Sequence, residues 1–277
     1  MTAYADLGFR DEDAIDAAAA VARVQECVDQ REAVATMADR LRRAVGTFAN
    51  EGEGDAYWSG VPVDVADLGI GVLPMLALAT TAPDVAAFHA ARGVTAEVST
   101  ATLADLGQQV WVHRLTYGEF GLHTYAWLGL VWSGALYRLG RLQFNLERSE
   151  NGWLLDTHIP QSGPLDPDSV DASFEAAREF FGRHFPECPV TGFVCRSWLL
   201  DPTLAELPDS NLAAFQRRWT AYGEPQPGAD DVLFFVFHRR GLVDLASLPT
   251  DTALRRLVAE RLASGAGWST ISGRLRE

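Results

Sequence analysis

The sequence contains no lysine, since all 23 of its basic residues are arginine. A mechanism that needs a lysine amine, such as Schiff-base formation, is therefore excluded. Cysteine is scarce as well: Cys27, Cys188 and Cys195 are the only three, and they form no CxxC pair. This number and spacing favour neither a disulfide framework nor a metal site, and they are typical of a reducing compartment.

Positive charge and long apolar runs are also in short supply. The 37 acidic residues give a net charge of -14, and a nucleic-acid binder would need clustered positive charge instead. The most apolar runs, IGVLPMLALA and AWLGLVWSGALY, are shorter than the roughly 18 residues of a membrane span. The acidic start MTAYADLGFRDEDAID lacks the apolar core of a signal peptide. We therefore expect a cytoplasmic protein with no nucleic-acid and no membrane partner.

The pattern of the chain changes near residue 139. Residues from about 11 to 138 are rich in Ala, Arg, Asp and Glu and predict helices, although EFGLHTYAWLGLVWSGALYRLG fits either a buried helix or a pair of aromatic strands. Beyond this point we predict strands at 141–148, 153–160, 190–199 and 232–238, with helices at 166–185 and 210–222. A last helix lies in TDTALRRLVAERLASG, before a tail. The prediction is an α+β protein with a helical domain over 1–138 and a layered α/β domain over 139–277.

A hairpin is predicted around Asn151-Gly152, because both residues tolerate the positive φ of a type I′ turn. That turn would set the pairs across the hairpin, which include Glu147 with Asp156 and Asn145 with His158. Side chains alternate across a sheet, so the two strands would share one apolar and one polar face. The apolar face would carry Leu142, Phe144, Leu146, Leu155, Thr157 and Ile159, and the polar face Gln143, Asn145, Glu147, Asp156 and His158.

This polar face allows two interpretations. It is either a solvated face of an antiparallel sheet or a catalytic face on which His158 is a general base. In the second case the paired carboxylates of Glu147 and Asp156 would repel each other, and they would either keep one proton or hold the imidazole in its charged form. The residues of the hairpin do not decide between the two.

A loop containing Ser162 and Gly163 joins this hairpin to a helix. Asp166 has the side chain of an N-cap, Pro167 suits the first helical position, and Phe185-Pro186 ends the segment. A strand, a Ser-Gly loop and a helix N-terminus together form a candidate anion site, because free N–H groups and the helix dipole point to the same place. Ordinary scaffolding is the alternative interpretation.

Several segments resemble one family. The motifs LGRLQF, HIPQSGPL, ASFEAAREFFGRHFP, SWLLDP and SNLAAFQRRW, with VPVDVADLG and STATLADLG upstream, resemble the GNAT acyltransferase superfamily. The closer similarity is to a bacterial subgroup that joins an N-terminal helical N-acyltransferase domain to a C-terminal GNAT-like domain. The resemblance covers most of the chain from about residue 60. It implies a mixed, mostly antiparallel central sheet flanked by helices.

The resemblance also implies an activity and its site. The activity is transfer of an acyl group from acyl-CoA, as co-substrate and without a metal, to the amine of a small-molecule acceptor. The catalytic residues would be His158 as base with Asn145, Glu147 and Asp156. The donor would contact Ile159 through its backbone N–H, the loop residues Gln161, Ser162 and Gly163, and Asn211 and Phe215 on a later helix.

Two departures from the family pattern leave alternatives open. Pro164 offers no N–H where the family loop has a donor, and Asp166 stands where a small residue is expected. A donor carried by an acyl carrier protein, or a catalytically silent binding protein, fits these departures.

A third alternative rests on Cys195. A Cys195–His158 pair would make the chain a thioester transferase or hydrolase, while a buried structural cysteine is the simpler interpretation.

Overall fold

The computed structural model describes residues 2–50 and 52–276, and its first half is helical. The helices here are α1 (Thr2–Asp6), α2 (Asp11–Glu26), α3 (Val28–Ala44), α4 (Val72–Ala91), α5 (Ala96–Leu103), α6 (Asp105–Tyr117) and α7 (Tyr125–Trp132). The predicted helical half is thus confirmed. The stretch EFGLHTYAWLGLVWSGALYRLG, which fitted either a buried helix or a pair of strands, forms α7 followed by a short strand.

A six-stranded sheet dominates the second half. The strands and helices of this half are β1 (Leu136–Leu139), β2 (Leu142–Ser149), β3 (Gly152–His158), α8 (Pro167–His184), β4 (Val190–Ser197), α9 (Asn211–Gln216), β5 (Trp219–Pro227), α10 (Ala229–Phe237), α11 (Ala253–Ala263) and β6 (Ser269–Leu275). The strand order is β1-β2-β3-β4-β6-β5. Strands β3 and β4 are parallel, whereas β6 is antiparallel to both β4 and β5. The predicted α+β class with a mixed sheet is confirmed.

The chain divides into two compact units. One comprises the described residues up to Arg138 together with Asn145–Arg148 and Arg183–Glu187. The other comprises Leu139–Phe144, Ser149–Gly182 and the described residues from Cys188 onward. Each unit has its own set of fully buried side chains, such as Met37 and Trp132 in the first and Phe215 in the second.

Helix α4 is the longest helix of the helical unit and is strongly apolar. By length and composition it could cross a membrane, but 61% of its most apolar window is buried inside the protein. Its carbonyl at Leu78 and its hydroxyl at Thr81 accept hydrogen bonds from the indole Nε1 of Trp132, at 3.1 and 3.0 Å. These contacts are those of a core helix.

Three predicted elements of the C-terminal half are wrong. The segment predicted as a strand over 232–238 is helix α10, with Asp230 and Asp231 in its first turn and His238 in the left-handed conformation at its end. The helix predicted over 210–222 ends at Gln216, and strand β5 follows. The predicted tail contains strand β6, which pairs with both β4 and β5. In each case contacts with other parts of the chain, through a paired strand or a packing surface, outweigh the local preference of the residues for helix or strand.

The turn between β2 and β3 lies one residue earlier than predicted. Strand β2 ends at Ser149 and β3 begins at Gly152, so Glu150 and Asn151 form the turn. The Ser149 hydroxyl donates to the Gly152 carbonyl (2.9 Å) and accepts from the Asn151 N–H (3.3 Å). Only Gly152 of the predicted pair has a positive φ, of 115°. The type I′ turn at Asn151-Gly152 is therefore wrong, and the specific cross-strand pairs derived from it lose their basis.

His89 gives the fold a pH dependence. Its side chain is fully buried on α4, with Nδ1 2.9 Å from the Ser99 hydroxyl, and burial lowers the pKa of the imidazole to about 4. An unfolded histidine titrates near pH 6.5. Below that pH the unfolded state takes up a proton that the folded state does not, so the free energy of unfolding must fall as pH drops.

We therefore expect stability to decline between about pH 6.5 and 4, with about 3 kcal/mol attributable to His89. Urea midpoints measured at pH 7, 5.5 and 4.5 should fall less steeply for His89→Gln than for the wild type. Carboxylates and the other histidines titrate in both proteins, so the difference between the two curves isolates His89. Parallel curves would contradict the assignment.

Candidate active site

The candidate site lies where the parallel strands β3 and β4 part. Their register runs through Trp153 with Val190 and Leu155 with Phe193 to Asp156 with Val194. Among the described residues no β3–β4 pair follows that one, although β3 continues to His158 and β4 to Ser197. The pairing of the two strands therefore ends beside His158, where they part. Such an opening leaves backbone groups of β3 available to a ligand.

His158 stands at the end of β3 with a carboxylate beside it. Its Nε2 lies 3.7 Å from Oδ2 of Asp156, and the two side chains are 19% and 13% exposed. They share a face because residues two apart in a strand point the same way. The distance suits an ion pair rather than a direct hydrogen bond. The Asp156 carboxylate can thus stabilise the positive charge that His158 acquires when it accepts a proton.

The polar face of β2 is covered instead of solvated. Asn145 is only 2% exposed, and its Nδ2 donates to the Leu146 carbonyl at 3.2 Å. Gln143, two residues earlier on the same face, is equally buried, and Glu147 is partly buried. The solvated-face interpretation of these residues is wrong. Gln143 was not among the predicted site residues, although its spacing from Asn145 pointed to it. The catalytic roles of Asn145 and Glu147 stay predictions.

The loop after β3 is ordered by its own backbone and by α10. The Ser162 N–H donates to the Pro160 carbonyl at 2.8 Å, and Gly163 has a φ of 82°. The side chain of Gln161 donates from Nε2 to the Phe235 carbonyl at 3.0 Å. Ile159, Gln161 and Ser162 are partly buried and Gly163 is exposed. The predicted donor-binding residues of this loop are thus contiguous and partly open to ligands.

Asp166 ends the loop as the predicted cap of α8. Its Oδ2 accepts from the Ser169 N–H at 3.1 Å, and α8 begins at Pro167 as expected. This capping contact explains why a carboxylate stands where the family pattern has a small residue. Part of its charge is directed to the helix N-terminus, where it is stabilised.

The predicted residues on α9 lie in different environments. Asn211 is exposed at the first position of the helix, after the cap residue Ser210. Phe215 is 1% exposed and packs against Trp219, with ring centroids 5.7 Å apart. Phe215 therefore lies in the core, which accounts for it without a ligand.

Helix α10 contacts the chain just beyond both diverging strands. Its Phe235 carbonyl accepts from Gln161, which follows β3, and the Phe235 ring stacks on Trp198, which follows β4 (centroids 6.4 Å apart, planes at 18°). Phe235 is 40% exposed. Phe235 was not among the predicted site residues, because its segment was predicted to be a strand.

Cys195 lacks the environment of a nucleophile. The residue is 1% exposed, and burial together with the Asp156 carboxylate raises the pKa of its thiol well above the usual value. The reactive species of cysteine is the thiolate, which this site disfavours. Cys195 is therefore best explained as a buried core residue.

No metal centre is formed by the described parts of the chain, 2–50 and 52–276: no three His, Cys, Asp or Glu side chains there are arranged to hold an ion. Arg218, in the turn that follows α9, is fixed by a two-point contact with Asp171 on α8. Its charge is thus used within the protein.

Known families match both halves of the chain. The model of an N-acyltransferase N-terminal domain matches residues 1–134, and that of a GNAT-like C-terminal domain matches residues 136–275. No curated protein sequence matches significantly.

Solved acyltransferase structures are similar over almost the whole chain. One, in complex with decanoyl-CoA, is 33% identical with a TM-score of 0.83, and the match covers 98% of this chain and 85% of that one. A second, with decanoyl-CoA and teicoplanin, is 33% identical with a TM-score of 0.82, covering 98% and 86%. A third, a mutant with octanoyl-CoA, is 33% identical with a TM-score of 0.83, covering 98% and 85%.

Proposed function

The chain belongs to the acyltransferase family that joins an N-acyltransferase N-terminal domain to a GNAT-like C-terminal domain, and we propose that it acylates the amine of a small-molecule acceptor with acyl-CoA. The observation that carries this proposal is the separation of β3 and β4 beside His158. A thioester lying in that opening would have a base at one side and strand N–H groups at the other.

The proposed reaction is a direct transfer. The acceptor nitrogen attacks the thioester carbonyl, a C–N bond forms, the C–S bond breaks, and CoA leaves as a thiolate that takes up a proton. His158 accepts the proton that the amine loses, because an acylated amine cannot keep its positive charge. A backbone N–H near Ile159 would stabilise the negative charge on the carbonyl oxygen.

Acyl-CoA of medium chain length is the proposed donor. The similar structures hold decanoyl-CoA and octanoyl-CoA, and the loop Gln161–Gly163 precedes a helix N-terminus suited to the pyrophosphate. The Asp166 carboxylate, the main objection to CoA at this loop, is engaged with the Ser169 N–H. An acyl carrier protein remains the alternative donor.

The proposed acceptor is a small molecule that carries an amine. One similar structure is a complex with decanoyl-CoA and teicoplanin, which favours an acceptor of that kind over a protein. The net charge of -14 would attract a cationic amine. The competing mechanism, an acyl-Cys195 intermediate, is disfavoured by the burial of that thiol.

Donor binding can be measured without knowing the acceptor. A ligand that binds only the folded state raises the melting temperature, by roughly 5 °C for a ligand at about 100 times its Kd. We expect decanoyl-CoA and octanoyl-CoA to produce such a shift and acetyl-CoA a smaller one. Free CoA should shift the melting temperature as well, because the proposed loop contacts its pyrophosphate.

The outcomes separate the candidate functions. CoA release that requires an added amine supports the transferase, and acceptor-independent release supports a hydrolase. Binding without release in the presence of a broad set of amines supports a silent binding protein. A shift with an acylated carrier protein but with none of the CoA esters would replace the proposed donor.

A further inference from the structure

The turn between β1 and β2 is fixed against α8. Gly140 has a φ of 69°, and a Cβ at this position would come within 2.9 Å of the Ser173 hydroxyl oxygen. The Arg141 N–H donates to the same oxygen at 2.9 Å, and the hydroxyl itself donates to the Ser169 carbonyl at 2.8 Å. The backbone of Arg141 is thereby anchored to the first turns of the helix that follows the candidate donor loop.

From this anchor the Arg141 side chain reaches three carbonyls of that loop. Its Nε donates to Pro164 O at 2.7 Å, its Nη1 to Pro160 O at 3.0 Å, and its Nη2 to Gly163 O at 2.8 Å. The planar guanidinium has the fork of donors that such a set of acceptors requires. One side chain thus fixes both ends of the segment Pro160–Pro164.

These contacts set the direction of the loop amides. No cis peptide bond occurs in the described residues, and in a trans peptide the C=O of one residue and the N–H of the next point in opposite directions. With the carbonyls of Pro160 and Pro164 turned toward Arg141, the N–H groups of Gln161 and Leu165 point away from it. They therefore face the side of the loop opposite the guanidinium.

The contacts also bring positive charge to a loop that has none of its own. The segment Ile159–Leu165 contains no basic residue, and Pro164 removes one amide donor. A guanidinium within 3 Å of the loop carbonyls raises the local potential in a protein whose net charge is strongly negative. Arg141 thus supplies order and positive charge to a loop that lacks the amide donor at Pro164.

We propose that Arg141 is a positioning residue for the acyl-CoA donor: it holds the Pro160–Leu165 loop in its pyrophosphate-binding conformation. This inference rests on the proposed function, since it assigns a role within acyl-CoA binding. The residue acts through the loop and does not take part in the chemical step.

The test separates donor binding from catalysis. Arg141→Ala should raise KM for decanoyl-CoA at least tenfold, while kcat and KM for the acceptor stay within about twofold of wild type. Arg141→Lys keeps the charge but not the three-point fork, so its KM should lie between the two. Hydrogen exchange of the peptide covering 160–165 should accelerate in Arg141→Ala and be slowed by decanoyl-CoA only in the wild type.

A matched control is Arg40→Ala, which removes a guanidinium that donates to the carbonyls of Tyr57 and Ser59 in the helical unit. Its KM for decanoyl-CoA should equal that of the wild type. If Arg141→Ala does not fold, Arg141→Gln, which keeps part of the stem, replaces it in the same measurements. A wild type that saturates with decanoyl-CoA and an Arg141 variant with unchanged KM would overturn the inference but leave the function intact. A wild type that neither binds nor turns over CoA esters would overturn both.

Discussion

Replacing His158 with alanine should lower kcat for acyl transfer by about 100-fold or more and leave KM for acyl-CoA within about twofold. The reason is the position of the imidazole at the end of β3, beside the separating strands and 3.7 Å from the Asp156 carboxylate. A base is needed there only when the amine loses its proton, so the loss should fall on kcat. Initial rates with decanoyl-CoA and a saturating amine measure both constants.

The pH profile distinguishes a base from a structural histidine. The wild-type rate should fall on the acidic side as the base becomes protonated, and His158→Ala should lose that limb. Added imidazole should restore part of the activity of this variant, since it can replace the missing base. Cys195→Ala is the control, because a core cysteine can be shortened with little effect on kcat. If Cys195→Ala abolished turnover and His158→Ala did not, the direct-transfer mechanism would be wrong.

The part of the fold that the sequence predicted well is local in origin. Alternation of apolar residues defined β2 and β3, and Asp166 with Pro167 defined the start of α8. The position of the turn was predicted wrongly for a reason that is also local. The Ser149 hydroxyl accepts a hydrogen bond from the Asn151 N–H, and the turn forms one residue earlier. Propensity of the Asn-Gly pair was outweighed by a side-chain contact with the backbone.

Elements that depend on distant partners were not predictable in the same way. Strand β5 contains a glycine and two prolines, and these residues locally favour a loop. The strand nevertheless forms because it lies at the edge of the sheet, where proline is tolerated. Helix α10 is aromatic and short, so composition favoured a strand. Its acidic first turn was the available signal for a helix.

The residues of the candidate site also fall into two groups: those that local spacing predicts and those that only long-range contacts bring to the site. His158 and Asp156 could be placed together from strand spacing alone. Arg141 and Phe235 could not, because Arg141 contacts Pro160 across 19 positions and Gln161 contacts Phe235 across 74. Contacts of that range depend on how the sheet and α8 are assembled, and no pattern within a single segment encodes them.

Replacing Arg114 with methionine should lower the free energy of unfolding by about 3 kcal/mol. Arg114 on α6 donates from Nε to Oδ1 of Asp13 at 2.7 Å and also pairs with Asp16. The Asp13 side chain is fully buried on α2, and that of Arg114 is 19% exposed. Methionine keeps the apolar length of the side chain but leaves the Asp13 carboxylate buried without its cation. Urea unfolding at pH 7 gives the change directly.

Two further variants decide whether the cost comes from the buried charge. Arg42→Met removes an arginine whose partners, Asp39 and Asp84, are about half exposed, so it should cost less than about 1 kcal/mol. The double variant Asp13→Asn/Arg114→Met removes both members of the buried pair and should recover much of the loss, because no uncompensated charge remains. If Arg114→Met cost no more than Arg42→Met, the Asp13 carboxylate would have to be solvated or protonated when Arg114 is absent. The buried pair would then not be what holds α2 against α6.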